Sequence, residues 1–168
     1  MKKRILALAM MMVLALGMTA CGAESEGTLV FDVPEGFVYD EASQSYLGPN
    51  YPTELANMNY LTTENDGSFK TITESNIEAA LEDTLSDNFG TDIDIEITRW
   101  EKTEVDGYDA IIYTCEYSYM TMDIVQTQIA INGTDYFHYV TFSDFADSEY
   151  IDDFEACMKS MKFEATQE

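Results

Sequence analysis

From Asp92 onward the chain writes out a sheet. Ile93, Ile95 and Ile97 alternate with Asp92, Asp94, Glu96 and Thr98. Successive side chains of an extended backbone fall on opposite faces, so one face is apolar and the other acidic. Asp106-Gly107 follows, then the β-forming run Tyr108 to Tyr117. Asn132-Gly133 stands between Val125 to Ile131 and Tyr136 to Phe142. Such pairs take up the positive φ that tight hairpins demand, so the spacing predicts four consecutive strands in an antiparallel meander. The turn near Ser118 to Thr121 has no Gly or Asn, and nothing local sets its register.

A meander has two faces, and one apolar face must be covered. Ser75 with Glu78 three residues on reads as a capping box. Ile77, Ala80, Leu81, Leu85 and Phe89 then recur at helical spacing, and Gly90 supplies a stop. A second helix starts from Asp147 or Ser148 and carries the stripe Tyr150, Ile151, Phe154, Cys157, Met158 and Met161, with Lys159 and Lys162 near its end, where the helix dipole favours cations. Before these come a strand at Leu29 to Val33, a turn at Pro34 to Phe37 into a second extended piece, a loop from Asp40 to Glu54 and a strand at Leu55 to Thr63. Lys162-Phe163-Glu164 adds a short terminal strand. The fold class is therefore α+β, a central antiparallel sheet with helices packed on its faces.

The first twenty residues are of another kind. Lys2, Lys3 and Arg4 precede an uninterrupted apolar run from Ile5 to Leu16, the layout of a secretory signal. The run falls short of the roughly 20 residues a spanning helix needs. Met18-Thr19-Ala20-Cys21-Gly22 resembles a bacterial lipobox, whose cysteine receives a diacylglyceryl group and becomes the mature N-terminus. Lipidation of Cys21 outweighs the alternative, an ordinary signal peptide with Cys21 incidental. Two acyl chains anchor durably where one is marginal, so the reading is export and attachment to the outer face of the cell membrane. Residues 21–28 then form a lipidated cysteine and polar tether, residues 29–164 a single domain and residues 165–168 a disordered tail.

Without residues 1–20, 148 residues remain, the size of one ordinary domain. The leader takes three of the eight basic residues and none of the 32 acidic ones, leaving a formal charge of −27. Such a field repels phosphate backbones and anionic headgroups, which excludes nucleic acid as a partner and leaves the lipid anchor as the only membrane contact. Of the three cysteines, Cys115 and Cys157 are candidates for a disulfide in an oxidising compartment. Both fall on predicted core faces, and packing as small hydrophobes is the stronger expectation.

Few residues carry chemistry. His138 is the single histidine, flanked by Phe137 and Tyr139 in a strand, with no G-x-S-x-G stretch and no second histidine to build a zinc site with the cysteines. Asp92, Asp94 and Glu96 lie on one strand face and could share a hard cation, but a solvated face is the stronger reading, and neither metal nor cofactor is expected. Ile111, Tyr113, Cys115, Tyr117 and Tyr119 also share a strand face. Core packing under a helix outweighs an exposed platform, with Tyr117 and Tyr119 the two placed to reach solvent and touch a partner or ligand.

The order of elements, with Phe31-Asp32-Val33-Pro34-Glu35-Gly36-Phe37 near the start, Ile129-Ala130-Ile131-Asn132-Gly133 before Tyr136 and a closing Ser160-Met161-Lys162-Phe163, resembles the PsbP-like fold, including bacterial DcrB-type lipoproteins. The resemblance spans about Thr28 to Glu164. It implies a non-enzymatic protein, since that fold serves extrinsic photosystem subunits, envelope lipoproteins and a Ran-interacting factor without shared catalytic residues. The expected role is a lipid-anchored accessory module that binds an unidentified envelope protein. The alternative is capture of a small ligand or divalent cation. An enzyme would need a concave pocket holding two carboxyls of unlike burial.

Overall fold

The meander forms and is longer than its turn signals suggest. In the computed structural model, which describes residues 27–165, β5 (Ile95–Val105), β6 (Tyr108–Tyr119), β7 (Met122–Asn132) and β8 (Tyr136–Phe145) pair in antiparallel succession. The signal segment, Cys21 and residues 166–168 lie outside the described residues. Three further strands, β2 (Val38–Asp40), β3 (Ser45–Leu47) and β4 (Asn57–Glu64), extend the sheet from β8, giving the order β2-β3-β4-β8-β7-β6-β5. β3 lies inside the stretch expected to be loop. A separate two-stranded pair joins the ends of the fold, β1 (Thr28–Val30) running against β9 (Lys162–Glu164).

The turns follow their chemistry in one case and depart from it in two. Asp106 and Gly107 both take positive φ, 52° and 86°, as a two-residue hairpin requires. Asn132-Gly133 does not make such a turn. Neither residue has positive φ, and the link to β8 runs through Gly133, Thr134 and Asp135. The Asn65 side chain holds it there, donating to Asn132 Oδ1 at 3.0 Å and to the Gly133 carbonyl at 2.6 Å. The β6–β7 turn sets its register without help from Gly or Asn: Tyr119 faces Met122, and Met120 takes φ 58° with its side chain 77% exposed.

Each sheet face has its own cover. Helix α1 (Glu74–Phe89) puts Leu81 and Leu85 onto Ile95, Ile111, Tyr113, Cys115, Tyr117, Ile124 and Ala130. Ala80, expected on that stripe, is exposed. The cap is Thr73 rather than Ser75, its Oγ1 accepting the Asn76 N–H at 3.3 Å, and Gly90 closes the helix at φ 67°. On the opposite face helix α2 (Ile151–Ser160) brings Phe154, Cys157 and Met158 against Ala110, Ile112, Ile129, Val140 and Phe142, with Leu29 of β1 beside them. Tyr150 stands at its N-cap without a side-chain cap bond, and Ser148 serves two residues earlier by accepting the Tyr150 N–H at 3.0 Å.

This arrangement decides the cysteines. Cys115 belongs to the α1 face and Cys157 to the α2 face, with the sheet between them, and both are free, buried thiols. The candidate disulfide does not form, because a bridge spans only about 4.4–6.8 Å between Cα atoms and cannot reach through a sheet from one covered face to the other. Burial pushes both thiols up to about 12. Cys157 Sγ instead lies 3.8 Å from Met58 Sδ.

Candidate functional site

A concave feature of the fold lies beneath α2, and a bulge in β5 builds one of its walls. Ile97 faces Cys115 on the α1 side, and regular alternation would carry Arg99 to that side as well. One residue is gained between Ile97 and Arg99, so Arg99 stands opposite Thr114 and projects toward α2, while Trp100 faces Tyr113 on the α1 side. Two cross-strand rows make the floor. Arg99, Thr114, Thr127 and Phe142 form one; Glu116, Val125 and Asp144 form the next. Helix α2 and its approach close the far wall with Ser148, Ile151, Phe154, Glu155 and Met158 around a cavity of about 240 Å³.

Its electrostatics are lopsided. Among the described residues Arg99 is the one basic side chain lining the cavity, and its guanidinium is already engaged. It donates through Nε and Nη2 to Glu101 Oε2 at 3.2 and 2.7 Å and through Nη1 to Glu155, tying α2 to the sheet. Across the floor Asp144 is only 3% exposed. Its carboxylate accepts the Phe145 N–H at 2.7 Å and the Ser148 hydroxyl. Both donors are neutral. Burial is the main cause that raises its pKa, and Glu54 and Asp147 raise it further, while the two hydrogen bonds pull the other way. Glu116, also in the lining, is exposed. Thr114 and Thr127 join hydroxyls at 2.9 Å between them.

The groove thus pairs an apolar lining (Val125 and Phe142 from the floor, Phe154 and Met158 from α2) with three carboxylates: Glu155, tied to Arg99, and Glu116 and Asp144, which differ in burial and have β7 between their strands, the arrangement the sequence reading required of an enzyme. It can hold an apolar body with a polar or positive end. The Ser148–Asp144 pair has no histidine in the lining. His138 is buried elsewhere on this face, its Nδ1 bonded to the Tyr60 hydroxyl at 2.7 Å and its ring edge-on to Phe163 at 5.0 Å.

The tyrosines singled out in the sequence lie on the other face. Tyr117 is not at the surface. It is 4% exposed within the α1 core, and its hydroxyl is buried with no hydrogen-bond partner. Tyr119 stacks on Phe89 of α1 with ring centroids 4.0 Å apart. The two do not make an exposed platform, because β6 runs under α1 to its last residue. Asp92, Asp94 and Glu96 are exposed, and among the described residues no three metal-ligating side chains converge.

Arg99, Glu116 and Asp144 were not marked by the sequence. A bulge leaves no trace in a β-forming run, but Asp144 had a signal. It continues the alternation Val140, Phe142, Asp144 on a covered face, and an acid where the pattern calls for an apolar side chain is a mark of a functional position.

Comparison of structures settles the architecture. Cyanobacterial PsbP (CyanoP) from Synechocystis superposes with a TM-score of 0.50 at 15% identity, covering 88% of this chain and 99% of that one. The fold is PsbP-like. A Pseudomonas aeruginosa protein of unknown function matches with a TM-score of 0.50 at 9% identity, over 89% of this chain and 92% of its own. LpqN of Mycobacterium tuberculosis, described as involved in cell envelope biogenesis, gives 0.50 at 10% identity over 86% and 88%. No protein-family model and no curated protein matches the sequence. No helix among the described residues is long and apolar enough to cross a membrane.

Proposed function

We propose that this chain is an exported lipoprotein, held by a diacylated Cys21 on the outer face of the cell membrane, where its PsbP-like domain serves as a non-catalytic accessory module for an envelope protein. One observation carries the reading: the leader ending in Met18-Thr19-Ala20-Cys21 stands directly ahead of the fold, whose β1 begins at Thr28. The likeness of fold to LpqN, a protein described as involved in cell envelope biogenesis, agrees with it. The high negative charge favours a partner with a basic contact surface. Mass analysis of the N-terminal peptide from the native host tests the anchor. A diacylglyceryl group on Cys21 is expected, with Cys21→Ser leaving the protein unlipidated; an intact leader and a free thiol would end the proposal.

A second reading, capture of a small ligand, is favoured by the groove beneath α2, where an apolar floor and a buried carboxylate face one cavity.

A further inference from the structure

We propose that the groove between α2 and strands β5–β8 binds a small organic cation, a protonated amine on an apolar body, with its ammonium group against Asp144 and its body on Phe142, Phe154, Val125 and Met158. This rests on the ligand-capture reading and names its ligand class.

Three observations converge on it. Asp144 is a buried carboxylate without a countercharge: both of its hydrogen-bond donors are neutral, and the charged neighbours that act on it, Glu54 and Asp147, share its sign. Buried charges in folded proteins are as a rule paired or bound to an ion. The cation lining the cavity cannot supply the pair, because Arg99 is held by Glu101 and Glu155 on the opposite wall. The lining carries a further, exposed carboxylate, Glu116, two strands from Asp144, so a positive group in the groove meets acid from both.

The same lining argues against a bare metal ion. Hard cations take six or more oxygen ligands, whereas the hydroxyls of Thr114 and Thr127 are joined to each other, Glu155 is held by Arg99, the rest of the lining is largely apolar, and no three ligating groups converge among the described residues. Phe142 and Phe154, both in the lining, lie with ring centroids 4.8 Å apart and tilted at 37°, an aromatic surface that suits an alkyl or aryl body and can add a weak attraction for the cation. A cavity of about 240 Å³, set against roughly 30 Å³ per water molecule, holds about eight water-sized units. That leaves room for a ring-sized body of about six to ten non-hydrogen atoms. The formal charge of −24 draws cations to the molecule as a whole.

Calorimetric titration of the whole protein at neutral pH and low salt tests the proposal with three probes of one shape: cyclohexylammonium, cyclohexanol and cyclohexanecarboxylate. Saturable binding of the ammonium is expected, with the alcohol weaker by about tenfold or more and the carboxylate weaker still. Asp144→Asn should cost the ammonium about tenfold and leave the alcohol unchanged. Because Asp144 is buried, the exposed Glu116→Gln is the second variant, with a loss of about two- to fivefold for the ammonium alone. Equal binding of ammonium and alcohol, or an ammonium affinity unmoved in both variants, would overturn the cation and leave an apolar site. No saturable heat from any probe up to about 10 mM would remove the ligand-capture reading together with it.

Discussion

Replacing Tyr117 by Phe should make the protein more stable. Tyr117 lies between Ile95 and Ile124 in the row of side chains beneath α1, and its hydroxyl is shut away from solvent without a partner. A hydroxyl moved from water into such a place costs about 1–3 kcal/mol in proteins. Phe keeps the ring and its contacts and removes the one oxygen, at a loss of a few tenths of a kcal/mol for the small void left behind. The net gain is about 1 kcal/mol, which for a domain of this size raises Tm by about 3 °C. Thermal unfolding followed by circular dichroism, with urea titration at the same pH, reads it directly. Burial also pushes the Tyr117 phenol above its ordinary value of 10.0, so Phe should not change the number of phenols that ionise near pH 10. A variant less stable than the parent by about 0.5 kcal/mol or more would mean that the hydroxyl is bonded, and the reading of Tyr117 as a sealed core residue would fail.

Met120 occupies the left-handed region at a two-residue turn, so Met120→Gly relieves about 1–2 kcal/mol of backbone strain against about 0.4–1 kcal/mol of added unfolded-state entropy; a rise in the urea midpoint is expected and a fall refutes it. Gly27→Ala would place a Cβ 2.3 Å from the Glu164 carbonyl oxygen and should cost about 1–3 kcal/mol, while Gly67→Ala, with φ 77° but open space around it, should cost only the conformational part, about 1 kcal/mol; equal losses would contradict the close approach. Asp144 holds its proton in the fold to a higher pH than in the unfolded chain, so its contribution to stability is greatest in acid and is lost as pH rises from 3.8 through the raised value; Asp144→Asn should be more stable than the parent at pH 7 and show a flatter pH profile in that window. Cys115 and Cys157 should stay unreactive toward a maleimide at pH 8 in the native protein and titrate as two thiols in urea whether or not reductant came first.

Side-chain periodicity made the architecture legible. Alternation at Ile93, Ile95 and Ile97 and the Asp106-Gly107 turn predict the meander, and the stripes containing Leu81 and Leu85, and Phe154, Cys157 and Met158, predict two covering helices. What escaped was whatever depends on a partner distant in sequence. β3 is three residues long, and its only distinction is what it pairs with. Asn132-Gly133 carries a strong local signal that a side chain 67 residues away overrides. Thr73 caps α1 in place of Ser75, two residues from where the capping box pointed. The groove was hidden for the same reason, since Arg99 reaches it through a bulge and Asp144 through strand pairing.

The first described strand and the groove are closer neighbours than their places in the sequence suggest. β1 is the first strand after the N-terminal segment, its partner β9 follows α2 after a single residue, and Gly27 packs against the carbonyl of Glu164 at the outer end of that ladder. Three residue pairs are therefore the first link to bear any pull transmitted along the chain from its beginning, and behind them stands the helix that roofs the cavity. A pull at Gly27 and a guest lodged under α2 would load the same short ladder from its two ends.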